Sequence, residues 1–149
     1  MPNILRKGGE MVVTNAETRE KLKQLFKLAY EDNLLLQFRT SRVDTDTAME
    51  LVDIIGRYNE FDPAKIKDVL KAFRGKVSGY EVGREYSPVI YVWLPYWTNQ
   101  REYSNSQRGR RIPEEEFEGL KRGLMSCFKL AKADEAGEVS TSVLRFWWD

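Results

Sequence analysis

The chain predicts a single α+β domain, with about four helices packed on a mainly antiparallel sheet of about four strands. Three observations lead there. Apolar residues recur at helical spacing in four segments and alternate with a period of two in others. Capping and turn residues fall at the joints between these segments. A length of 149 residues with 42% hydrophobic content suits one buried core, and no stretch reads as a linker that would divide it.

The first element is a helix over Ala16–Glu31, introduced by Thr14 and Glu17 at capping-box spacing and carrying Leu22, Leu25, Phe26 and Ala29 on one face. Asp32-Asn33 ends it, and Leu34, Leu36 and Phe38 then alternate with Leu35, Gln37 and Arg39 as in a half-buried strand. Asp44-Thr45-Asp46-Thr47 is a run of helix-capping residues, with Glu50 three positions after Thr47. Ala48, Leu51, Val52 and Ile55 predict a helix to about Tyr58. Asp62-Pro63 starts the next, because proline at the first helical position gives up an N–H that has no partner there. Its apolar face is Ile66, Val69, Leu70 and Phe73, and Gly75 stops it.

From Val77 the period changes. Val77–Val82 reads as a strand, Gly83-Arg84-Glu85 as a turn, and Pro88–Trp97 as a long strand apolar on both faces, hence central and covered on both sides. Thr98–Arg111 is a polar, basic loop. Pro113 then opens a helix whose first turn holds Glu114, Glu115 and Glu116, the favoured sign at that end of a helix dipole. Phe117, Leu120, Leu124, Phe128 and Ala131 form its buried stripe, Ala136-Gly137 marks a break, and Val139–Trp148 reads as one last strand. Phe26, Phe38, Ile55, Phe73, Val92, Leu124 and Phe146 are the expected core.

Composition removes several kinds of chemistry. With 24 basic and 23 acidic residues the net charge is +1, so any affinity for nucleic acid rests on local patches. The absence of histidine excludes the usual zinc sites, Ser-His and Cys-His pairs and any imidazole base. A single cysteine, no secretory signal and no apolar run longer than Val89–Leu94 are what a soluble cytoplasmic protein with no membrane span presents. Lys7-Gly8-Gly9-Glu10 before Met11 is what codons containing AGGAGG, a bacterial and phage ribosome-binding sequence, would encode. On that reading residues 1–10 are a translated leader and 11–149 the domain; a flexible Gly-Gly tail accounts for the same residues.

The run from Glu50 to Val77, ELVDIIGRYNEFDPAKIKDVLKAFRGKV, resembles the middle of a winged helix-turn-helix domain, and so does the order of elements around it. The resemblance covers roughly half the chain. It implies that the helix Pro63–Arg74 enters a major groove, with Lys65, Lys67, Lys71, Arg74 and Lys76 at phosphates or base edges and Arg84 as the wing contact. Two features depart from the pattern: the turn Gly56–Asp62 is longer than three or four residues, and the last strand is apolar for a wing. An αα-hairpin on a sheet, its lysines a solvated face, fits the same residues.

The loop Asn99–Arg111 adds Arg101, Arg108, Arg110 and Arg111 against one glutamate, with Tyr103 among them. Guanidinium forks suit phosphates and a tyrosine can stack on an unpaired base; a mobile solvated loop is the alternative. Tyr91, Trp93, Tyr96, Trp97, Phe146, Trp147 and Trp148 read first as core, with Trp97 and Trp148 partly exposed near strand ends. Arg145 faces away from Leu144 and Phe146, toward solvent or a buried acid.

Catalysis finds little support. Cys127 reads as a small buried hydrophobe, Asp44-x-Asp46 as helix capping rather than a Mg²⁺ site, and Glu81 with Glu85 as a carboxylate pair that nothing selects. Neither GxGxxG nor GxxxxGK[ST] occurs, so no cofactor is expected. The leading expectation is a non-enzymatic DNA- or RNA-binding regulator of bacterial or phage origin, acting through the lysine helix and the arginine loop. The runner-up is a protein-interaction module or small inhibitor docking through exposed aromatics and that loop, one form of it a homodimer through the last strand.

Overall fold

The computed structural model describes residues 15–32, 35–97 and 111–149, with the backbone alone at Tyr96, Trp97 and Arg111. Residues 1–10, proposed as a leader, and Thr14 and Leu34 lie outside these.

The first helix, α1 (Ala16–Glu31), has the expected bounds, but its cap is Asn15, whose side chain accepts from the Thr18 N–H at 3.0 Å. The short strand β1 (Gln37–Arg39) follows, with Leu36 and Phe38 half-buried and Leu35, Gln37 and Arg39 exposed, as the alternation predicts. In α2 (Thr45–Ile55) the Asp44 carboxylate accepts from the Thr47 N–H at 2.9 Å. This helix ends short of Tyr58 because Gly56 turns left-handed, at φ +72°. Tyr58 and Phe61 then exchange backbone hydrogen bonds across a tight turn, which tucks Phe61 fully into the core. The long connection that departs from a helix-turn-helix is thus itself structured. Asp62 caps α3 (Pro63–Ala72) through the Ala64 N–H at 3.0 Å.

Two antiparallel strands come next, β2 (Gly79–Glu85) and β3 (Ser87–Trp93). Gly83-Arg84-Glu85 is therefore strand, and the hairpin turns at Tyr86, whose φ is +65°. The glycine there serves close approach, not turning: a Cβ on Gly83 would stand 2.1 Å from the Phe38 carbonyl oxygen of β1. The expected long strand to Trp97 breaks after Trp93, where Pro95 offers no N–H to a ladder. Beyond it, β4 (Tyr96–Trp97) pairs in parallel with β5 (Arg111–Ile112).

After α4 (Glu114–Leu130) the C-terminal segment is a hairpin of β6 (Glu135–Ser140) and β7 (Val143–Trp147), not one strand. Gly137 lies inside β6 opposite Arg145, and the turn is made by Thr141-Ser142, which lack the glycine or proline that would have marked it. The main sheet has five antiparallel strands in the order β1-β2-β3-β7-β6, one more than expected because of this hairpin. The last strand is consequently interior, and the edges are β1 and β6.

The four helices of the described residues pack on one face of the sheet. Leu22 and Phe26, Leu51 and Val52, Ile66 and Leu70, and Leu124 and Phe128 meet Tyr80, Val82, Ile90, Val92, Leu144 and Phe146 in one core. Phe38, Ile55 and Phe73 lie half-buried at its margin, and Cys127 is half-buried too. Trp148, expected at a partly exposed strand end, is fully buried: its indole meets Phe61 and Phe128 edge-on and donates to the Ala131 carbonyl at 3.0 Å. Among the described residues no helix is long and apolar enough to cross a membrane.

Candidate interaction surface

The second face of β3 is covered by side chains of the sheet itself, with no helix among the described residues upon it. Strand register sets out its rows. Arg39, Gly83, Val89, Trp147 and Glu135 lie side by side across the five strands. Next come Glu81, Tyr91, Arg145 and Gly137, then Gly79, Trp93 and Val143. Antiparallel strands carry directly opposed residues on one face, so these side chains must pack together.

They do so as alternating arginines, carboxylates and rings. Glu81, only 6% exposed, accepts from the Trp93 indole at 2.6 Å and from Arg39 Nε at 2.6 Å. Arg39 Cζ in turn lies over the Tyr91 ring, 3.9 Å from its centroid. Glu85 accepts from the Tyr91 hydroxyl at 2.5 Å and from Arg145 Nη2 at 2.7 Å, while Arg145 Nη1 reaches Glu135 at 2.8 Å. The Trp147 indole donates to the Glu85 carbonyl at 2.9 Å, and Arg145 stands over its ring. Arg42, buried, lies over Trp93 at 4.9 Å; Gly79 makes room for it, since a Cβ there would meet Arg42 Cγ at 2.6 Å. Tyr91, Trp93 and Trp147 therefore each have a guanidinium over the ring.

Burial disfavours the ionised Glu85, but the Tyr91 hydroxyl and the Arg145 guanidinium outweigh it and hold its carboxyl below the ordinary value. Burial and the same hydrogen bond push the Tyr91 phenol up. The network is thus ionic, with Glu85 charged and Tyr91 neutral near pH 7. Beside it, Gln37, Arg39, Ser41, Glu81 and Glu85 line an open groove along the edge strand β1.

Glu81 and Glu85 stand four residues apart on one strand, so their Cα atoms are separated by roughly 13 Å. Both carboxylates are engaged by guanidinium, indole or phenol donors. Among the described residues no group of three or more His, Cys, Asp or Glu is arranged to hold a metal ion. Asp44 is a helix cap, and Asp46 pairs with Arg74.

The lysine helix lies in the other layer. Lys67 pairs with Asp53 at 2.9 Å and Arg74 with Asp46 at 2.8 Å, both acids of α2. Lys65, Lys71 and Lys76 are exposed. Arg84, expected at a wing tip, is turned to the helix side of β2: it lies over the Tyr30 ring at 5.1 Å and donates to the carbonyls of Tyr30 and Tyr86. The hairpin that would be a wing is the middle of the five-stranded sheet. Arg101, Tyr103, Arg108 and Arg110 lie outside the described residues, as does the Arg111 side chain.

Arg39, Arg42 and Glu135 were not candidates on sequence grounds. The available signal was the alternation in Glu81-Val82-Gly83-Arg84-Glu85, whose acids share the face of Tyr91 and Trp93 once the register is known. Comparison with protein-family models, with characterised proteins and with solved structures gives no match, so the functional reading rests on this geometry.

Proposed function

We propose that this is a non-enzymatic binding protein that docks another protein through the helix-free face of its sheet. One observation carries the reading: the arginines of that face are already closed on carboxylates and rings, as Arg39 is on Glu81 and Tyr91. A groove that tracks a phosphate backbone needs uncommitted cations, and a base-stacking platform needs open ring faces. This surface supplies little of either. Tryptophan, tyrosine and arginine are the residue types that anchor protein interfaces, and here they are held rigid, which lowers the entropy lost on docking.

The test is affinity capture from the native host, comparing the wild type with Arg39→Ala and Trp147→Phe. A partner retained by the wild type and lost by either variant supports the reading; equal retention by all three overturns it. A second reading, nucleic-acid binding through the other layer, is favoured by the exposed Lys65, Lys71 and Lys76. It calls for salt-dependent binding of labelled duplex or single-stranded DNA or RNA that weakens when those three become alanine. No binding at low salt removes it.

A further inference from the structure

We infer that the free edge of β1 takes up an extended segment of a partner protein as an added strand of the main sheet. The inference concerns the edge and does not rest on docking by the helix-free face.

β1 is bonded to a strand on one side. Its ladder to β2 runs beyond Gln37 and Arg39 at both ends: the Tyr86 N–H donates to the Leu36 carbonyl at 2.7 Å, and the Thr40 N–H to the Val82 carbonyl at 3.0 Å. Main-chain groups alternate in direction along an antiparallel strand. Leu36, Phe38 and Thr40 therefore turn theirs toward β2, and Gln37 and Arg39 turn theirs away. No strand among the described residues lies beyond β1. The N–H and carbonyl groups of Gln37 and Arg39 thus stand in the spacing that an incoming strand matches.

Of the two edges of the sheet, this is the open one. β6 is broken by a register shift between Glu138 and Ser140, an irregularity of the kind that deters strand addition. β1 keeps an unbroken register against β2. Gln37 is uncharged, and the guanidinium of Arg39 is drawn inward over Tyr91 and onto Glu81. Neither side chain bars the edge, and both line the groove that follows it.

Packing selects the occupant. α1 stands on β1 through Phe26 and Tyr30, whose rings meet Phe38 at 5.4 and 6.1 Å. Paired strands lie about 4.8 Å apart, whereas packed helices need about 8–10 Å. A strand that brings its own helix over this edge, as β1 of a second copy does, crowds against α1. A single extended segment with nothing above it does not. Its side chains alternate between the two faces. The one beside Phe38 falls on the helix side, where an apolar residue continues the cluster of Phe26, Tyr30 and Phe38. Those beside Gln37 and Arg39 fall on the opposite, polar face. Proline is excluded wherever the segment donates an N–H to β1.

The probe is a set of linear peptides, about ten residues long, selected from a random display library on the immobilised full chain. Bound peptides are expected to protect the Gln37 and Arg39 amides from hydrogen exchange and to leave the Phe38 amide, which faces β2, unchanged. Gln37→Pro removes an outward N–H without touching the ladder to β2, and should weaken binding at least about tenfold. Gln37→Ala keeps the main chain and should leave affinity within about twofold. N-methylation of alternate peptide amides should weaken binding as Gln37→Pro does, and methylation of the intervening amides should not; this readout stands even where proline disturbs β1. The inference is overturned if the free chain already protects both amides, if no peptide is recovered, or if peptides bind Gln37→Pro as tightly as Gln37→Ala. Sedimentation equilibrium showing a dimer that Gln37→Pro abolishes overturns the choice of occupant.

Discussion

Gly83 lies directly beneath the Phe38 carbonyl, so close that a Cβ would stand 2.1 Å from its oxygen. The edge strand β1 is seated in a gap that only glycine leaves. Gly83→Ala must move backbone, and a loss of at least about 2 kcal/mol is expected. Gly137→Ala is the internal control, because nothing lies within 4 Å of the added methyl. It should be neutral or gain up to about 1 kcal/mol. Urea midpoints of the two variants should move far apart, with Gly83→Ala alone falling well below the wild type.

Stability should fall at both ends of the pH scale through one hydrogen bond. The Glu85 carboxyl sits below its ordinary value of 4.5, despite burial, because of Tyr91 and Arg145. A depressed folded pKa means its contribution is fully present above 4.5 and is lost as pH falls through the lower folded value. The Tyr91 phenol is raised above 10.0 by burial and by Glu85. Its contribution is complete below 10 and lost as pH rises through the folded value. Burial also pushes the Tyr30 phenol up to about 12, so the alkaline loss is shared. Thermal melts against pH should show a flatter acid limb for Glu85→Gln, and a smaller alkaline loss for Tyr91→Phe.

Arg84 should behave as a structural residue. It covers the Tyr30 ring and donates to two carbonyls. Arg84→Ala is expected to cost about 1–2 kcal/mol by thermal or urea unfolding. Any affinity for DNA or RNA measured at a temperature where the variant is folded should be unchanged; a selective loss of such binding would restore the wing role.

Trp148 should be among the costliest single positions. Trp148→Ala opens a cavity between Phe61 and Phe128, with an expected loss of about 3–5 kcal/mol. Trp148→Phe keeps most of the volume but leaves the Ala131 carbonyl without its indole donor, for about 1–3 kcal/mol. A smaller loss for phenylalanine than for alanine separates the packing from the hydrogen bond.

The elements that could be read from the chain are those whose signals are local. Asp62-Pro63 starts α3, and the Asp44–Thr47 run starts α2, because a cap is satisfied within a few residues of itself. The periodicity of α1 and α4 is equally local. The errors have one source. On local sequence Gly83 and Gly137 suggest a turn and a break because glycine permits both, whereas in the fold one admits a neighbouring strand and the other pairs with Arg145. Local sequence puts Trp148 at a partly exposed strand end, since nothing nearby announces Phe61 and Phe128.

The same division applies to function. Sequence by itself established an α+β class, most helix bounds, a central apolar strand and the exclusion of imidazole chemistry, all of which depend on residue type and short spacing. Only tertiary structure decided which cations are free. Lys67 and Arg74 are met by acids of the preceding helix, Arg84 by a ring of the first, Arg39 by Glu81 of the neighbouring strand, and Arg145 by Glu135 of the neighbouring strand and Glu85 two strands away. A charge count along the chain cannot register these pairings, because they are set by strand order and helix packing across tens of residues.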